Sequence, residues 1–204
     1  MSSLSKTMII GLTGGIASGK STVVEMIKEV GYKVIDADQL VHDMQAKGGR
    51  LYRALHDWLG EDILLSDGEL NRPKLGKLIF SSEEMRHQSA EIQGKIIREE
   101  LAVKRDCLAK EEDVFFMDIP LLIENGYQDW FDQIWLVAVS PEVQRQRLMK
   151  RNHLSAEEAG MRIASQMPLA EKLPYASLVI DNNGSIDDLK KKVKSAIKDL
   201  ANLV

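Results

Sequence analysis

"GLTGGIASGKST", residues 11–22, follows the apolar residues Met8–Ile10, and its reading decides the fold. Gly14, four intervening residues, then Gly19, Lys20 and Ser21 spell the G-x-x-x-x-G-K-[ST] pattern of a P-loop. Gly14, Gly15, Ile16, Ala17, Ser18 and Gly19 form the turn, whose glycines let successive backbone N–H groups face inward. The helix that follows presents its N-terminus to the same anion, so turn and helix together cradle phosphate. In that geometry Lys20 reaches the outer phosphates, Ser21 offers a hydroxyl to magnesium, and Thr22 lies one residue into the helix.

Outward from this turn, apolar runs alternate with helical patterns, the habit of a parallel sheet covered on both faces. Strands are expected at Met8–Thr13, Tyr32–Ile35, Val114–Asp118, Ile134–Val139 and Leu178–Ile180. "MIIGLT", "VFFMD" and "IWLVAV" lack polar alternation, as strands buried on both faces do. Val23, Met26, Ile27 and Val30 share a helical face that ends at Gly31. Ile186, Leu189, Val193, Ile197, Leu200 and Val204 step by three or four behind Ser185 and Asp188, which are spaced as an N-terminal cap. Residues 37–112 contain no convincing strand and read as helices broken at "KGG" (47–49) and "SDGELNRP" (66–73), which can cover the sheet edge or form a helical substrate domain inserted after the second strand. Residues 141–173 form a polar helical stretch suited to a mobile cover.

Composition limits what the turn can serve. The 204 residues suffice for one substantial core with an appendage, and the net charge of −4 gives no basic field for nucleic acid or an anionic membrane. Cys107 is the sole cysteine, so no internal disulfide is possible, and a reducing cytoplasm is the expected compartment. No stretch approaches the roughly 18 apolar residues of a membrane span.

A P-loop needs an acid near the metal, and "VFFMD" places Asp118 at the end of a strand, where it can serve the metal or cap the following "IPLLIEN". The second strand ends in "VIDAD", so Asp36 and Asp38 emerge at the carboxyl edge, where open α/β sheets bind ligands. One of the two can accept a proton from a hydroxyl nucleophile; either can equally start a helix. In "VQRQRLMKR", Arg147 and Arg151 lie one turn apart, with Arg145 beside them, and can close over a triphosphate or form a solvated face.

Taken in order, "GLTGGIASGKS", "VIDAD", "GELNRPKLGKLIF", "DIPLLIENG", "QRQRLMKR", "IASQMPLAEK" and "VIDNNG" resemble the dephospho-CoA kinase family over nearly the whole chain. The resemblance implies phosphorylation of the ribose 3′-hydroxyl of dephospho-CoA by ATP with Mg2+, giving CoA and ADP. It implies an α/β fold: a parallel-sheet P-loop kinase core with helices on both faces (1–36, 113–140 and 174–204), a helical CoA-binding insertion (37–112) and a helical lid (141–173). Asp38 looks like the family's acid beside the accepting hydroxyl, Arg72 and Leu121 like substrate contacts, Arg147 like the lid arginine, and Asn182 like the asparagine near adenine. Asp36 and Asp118 join Ser21 as metal candidates. ATP and dephospho-CoA are the expected partners, in a monomer or weak homo-oligomer. The chain departs from the family pattern at Ala17, where glycine is common, at Asn71, at Gln93 and Gly94, and at Ser177. The residues alone leave open another small-molecule or nucleotide kinase, or a nucleotide-sensing module without turnover.

Overall fold

A computed structural model describes residues 7–203, so Val204 of the expected C-terminal face lies outside the described residues. The strands are β1 (Met8–Gly14), β2 (Lys33–Asp36), β3 (Val114–Asp118), β4 (Gln133–Ala138) and β5 (Leu178–Asp181), in the order β2-β3-β1-β4-β5. β1 runs parallel to β3, with Leu12 opposite Asp118, and parallel to β4; β4 runs parallel to β5. The P-loop therefore leaves the middle of the sheet, flanked by the carboxyl ends of β3 and β4. Every residue of β3 is buried, which is why "VFFMD" carries no alternation. The second strand starts one residue later than expected, and Tyr32, just before it, packs edge-on against Phe116 with ring centroids 5.6 Å apart.

The helices are α1 (Lys20–Glu29), α2 (Ala37–Met44), α3 (Arg50–Leu59), α4 (Arg72–Ile79), α5 (Glu83–Leu108), α6 (Pro141–Asn152), α7 (Ala156–Ala164), α8 (Leu169–Lys172) and α9 (Ile186–Ala201). α1 contributes Val23, Val24 and Ile27, and α9 contributes Leu189, Val193, Ile197 and Leu200, to one cluster with Ile10, Leu12, Phe116 and Trp135 of the sheet. Each buried side chain of this size stabilises by about 1.5–3 kcal/mol, so docking, rather than helix propensity, holds both helices. Val30 is a correction: α1 ends at Glu29 and Val30 is 56% exposed, while Val24 takes the buried place. Gly31, at φ 106°, turns the chain away just after it. α9 begins with a capping box, Ser185 and Asp188 bonding each other's backbone N–H. On the opposite face of the sheet, Gly11 lies against Leu122 and Phe131 from the chain that follows β3.

Contacts divide the chain into two units, one running to Ile35 and resuming at Leu108, the other spanning Asp36–Cys107. The second unit has its own core of Leu55, Ile63, Leu70 and Leu75, backed by Tyr52 and Trp58. Its helices break at residues 45–49 and 60–71, where the glycine-bearing turns stand. Asn71, one of the departures, caps α4 by accepting the Lys74 N–H at 3.1 Å. Residues 141–173 belong to the unit that carries the P-loop. No described helix is long and apolar enough to cross a membrane.

Candidate functional site

The candidate phosphate cradle begins where β1 becomes a tight turn, closed by the Ser18 N–H on the Gly15 carbonyl at 3.1 Å. Gly19 follows at φ 88°, where a side chain is strained, and a Cβ there would also collide with the Asn182 amide. Lys20 opens α1, and its ammonium contacts the buried Asp118 carboxylate at the end of β3. Two hydrogen bonds hold the segment after Asp118 against β1: Ile119 N–H to Leu12 O at 3.1 Å, and Thr13 hydroxyl to Pro120 O at 2.9 Å. Ser21 is exposed on the first turn of α1, and Leu121, 39% exposed, lies just beyond Pro120.

The other wall follows β5. The Asn182 N–H donates to Ala138 O and its side-chain amide to Ser18 O, both at 2.8 Å, which ties this wall to the cradle. Arg147 donates to the Asn182 carbonyl at 2.9 Å, joining α6 to the same wall. Arg145 instead pairs with Glu142 and Arg151 bonds Asn152, both exposed, so one arginine of the run is directed here and two are not. Next to Asn182, the Lys192 ammonium holds the Asp181 carboxyl below the usual carboxylate range against a smaller desolvation effect, and the Asn183 side chain adds to the lowering. Ser177, another departure, accepts the Ile134 N–H at 3.1 Å and so ties β5 to β4.

Between the turn and the 141–173 segment lies a cavity of about 350 Å³, lined by Gly15, Ser18, Val137, Gln144, Gln166 and Lys172 among others. Lys172, 1% exposed, meets Glu124 at 2.7 Å. Removing one partner from a buried pair of this kind costs about 3–5 kcal/mol, because the other charge is then left buried and unpaired. The sequence reading missed Lys172, Glu124, Gln144 and Gln166. "IASQMPLAEK" contains two of them, but charged and amide side chains in a polar stretch look solvated until their distant partners are known.

Three further candidates belong to the helical unit. Asp36 caps α2, accepting the Gln39 N–H at 3.0 Å. Asp38 is exposed in the first turn of the same helix. Arg72 opens α4 and bonds the Gln45 side chain at 3.3 Å, also in an exposed setting.

Among the described residues, no three His, Cys, Asp or Glu side chains form a metal cage. A Ser21 hydroxyl and an Asp118 carboxylate are hard oxygen donors, and Mg2+ usually takes one or two protein carboxylates and completes its shell with water and substrate phosphates. The donor set fits such an ion.

A family model described as dephospho-CoA kinase matches residues 8–188. A protein named dephospho-CoA kinase from Streptococcus thermophilus is 90% identical over 197 residues, covering 97% of this chain and all of that one. Among solved structures, TT1252 from Thermus thermophilus aligns with a TM-score of 0.80 at 34% identity, covering 95% of this chain and 98% of that chain. A dephospho-CoA kinase from Campylobacter jejuni aligns at 0.75 and 28% identity, covering 95% and 97%.

Proposed function

This chain belongs to the dephospho-CoA kinase family, and on that premise we propose how its residues divide the work of the reaction. The enzyme transfers the γ-phosphoryl group of ATP to the ribose 3′-hydroxyl of dephospho-CoA, giving CoA and ADP, the last step of coenzyme A biosynthesis. A bond forms between the 3′-oxygen and the γ-phosphorus, the bond to the bridging oxygen breaks, and the hydroxyl proton leaves to a base.

The observation that carries the assignment of roles is the P-loop lysine set against an acid at the carboxyl end of the neighbouring strand. Catalysis of phosphoryl transfer is mostly positioning and charge stabilisation. The N–H groups of residues 14–22 hold phosphate oxygens, and Lys20 balances charge on the transferred group. Arg147 and Asn182 form the nucleotide wall, with the guanidinium on the phosphates. Asp38 orients the accepting hydroxyl and takes its proton, while Arg72 and Leu121 hold the CoA precursor. Ser21 and Asp118 hold Mg2+, with Asp36 a further candidate; when bound, the ion neutralises phosphate charge. A monomer or weak homo-oligomer in the cytoplasm is consistent with this work.

An acceptor panel under identical ATP and magnesium tests the reading, with ADP release followed and the new phosphate located by NMR. ADP release that requires dephospho-CoA, with phosphate on the 3′-oxygen, supports it. Turnover without an acceptor points to an ATPase switch, and preference for another alcohol to a different small-molecule kinase.

Arg147 gives a sharper check of the wall. Arg147→Lys keeps the charge but not the planar fork that now reaches the Asn182 carbonyl. The expected result is a fall in kcat of about tenfold or more, less than the about 10²–10³ lost when a whole charge-stabilising donor is removed, because the charge remains. Full activity with lysine would show that charge alone suffices.

A further inference from the structure

Within the phosphate cradle, a single residue is gripped from both sides. The Ile16 N–H donates to Gln166 Oε1 at 2.8 Å, and the Ile16 carbonyl accepts from Gln144 Nε2 at 2.9 Å. Gln144 stands on α6 and Gln166 just beyond α7, so both come from the polar segment that follows β4. The approach is close: a Cβ at Gly15 would lie 2.7 Å from Gln144 Nε2, so any larger residue there would push the amide off its acceptor.

The residue after Ile16 explains what the grip does. Ala17 has φ 60°, and among the described residues only His153 is another non-glycine with positive φ. With the Ser18 N–H closing on the Gly15 carbonyl, Ile16 and Ala17 are the central residues of a four-residue turn. A positive φ at the third position of such a turn is the geometry that favours glycine, because it depends on which way the central peptide faces. An alanine there prefers the peptide flipped over, with φ negative. The carbonyl of that central peptide is the one Gln144 holds.

Because the peptide is planar and trans, fixing its carbonyl also fixes the opposite direction of its N–H, which belongs to Ala17. We propose that Gln144, braced by Gln166, is a positioning residue for phosphoryl transfer: it holds the central peptide of the P-loop turn in the orientation that Ala17 by itself resists, and so aims the Ala17 N–H. The chemistry it serves is the binding of a nucleotide phosphate oxygen. This rests on the nucleotide-binding role proposed above for residues 14–22.

The proposal predicts that the need for Gln144 depends on residue 17. Glycine adopts positive φ about as readily as negative, so it needs no external grip. Four proteins form the test: wild type, Gln144→Leu, Ala17→Gly and the double variant. Affinity for ATP with Mg2+ is measured by calorimetry, kcat and both KM values are measured with dephospho-CoA, and melting curves ensure that every measurement is made on folded protein. Relative to wild type, Gln144→Leu is expected to weaken ATP binding or kcat by about tenfold. Relative to Ala17→Gly, the double variant is expected to lose at least about fivefold less than that, as the penalty for left-handed alanine implies. The KM for dephospho-CoA should stay constant. An equal loss in both comparisons, or a loss that simply follows the melting temperature, overturns the proposal. The calorimetric arm needs no acceptor, so a wild type that binds ATP but leaves dephospho-CoA unphosphorylated counts against the function reading and leaves this test intact.

Discussion

Lys20→Ala should lower turnover of dephospho-CoA by about a thousandfold or more while the protein stays folded. The magnitude follows from what such groups do: removing one preorganised charge-stabilising donor costs about 10²–10³ in rate, and cationic groups on a transferring phosphoryl are worth about 10³–10⁵. Lys20 is well placed for this, because it opens α1 immediately after the turn and its ammonium is already directed to Asp118. Its side chain contributes little to the core, which α1 builds from Val23, Val24 and Ile27 on another face. The measurement is kcat with saturating ATP and dephospho-CoA, beside thermal melts of both proteins. Lys20→Met, which keeps the apolar stem, separates the charge from the packing, and it should be as slow as the alanine variant. Near-normal turnover in either folded variant would remove Lys20 from the chemistry.

The features that could be read from the residues are those written locally. Parallel strands buried on both faces appear as unbroken apolar runs, and β3 was legible to the residue for that reason. The turn was legible because its glycines and lysine are spaced by backbone geometry. Capping is also local, so Ser185 and Asp188 could be placed from spacing alone. Features that depend on distant partners were not legible. In "VQRQRLMKR" helical spacing sets Arg147 and Arg151 on one face, and only the family resemblance prefers Arg147; composition and spacing do not show that the Asn182 carbonyl, 35 residues on, accepts from Arg147. Gln144 and Gln166 meet Ile16 across separations of 128 and 150 residues, and Lys172 is buried by Glu124, which precedes it by almost 50. Val30 failed for the opposite reason: the periodicity was right, but the chain turned at Gly31 before the face could be completed.

Asp38→Asn should reduce kcat by about 10²–10⁴, the range supplied by a positioned general base, with ATP affinity nearly unchanged. Asparagine keeps the size of the side chain and one acceptor oxygen but cannot take the proton. The fold should tolerate the change, because Asp38 is exposed in the first turn of α2 and a carboxylate there is worth about 0.3–1 kcal/mol through the helix dipole. Asp36→Asn is the matched comparison. Asp36 caps α2 by accepting the Gln39 N–H, and asparagine caps a helix about as well as aspartate, so this variant too should remain folded. With both variants folded, the comparison isolates what each carboxylate does in the reaction. If Asp36 helps hold magnesium, raising the metal concentration should partly restore the Asp36 variant, whereas a missing base cannot be replaced by a cation, so the Asp38 variant should stay slow. Initial rates across a magnesium titration, with calorimetric ATP binding for each protein, decide between them. Recovery of the Asp38 variant at high magnesium, or no loss at all, would transfer the base to Asp36 and leave Asp38 as a solvated residue of the first helical turn.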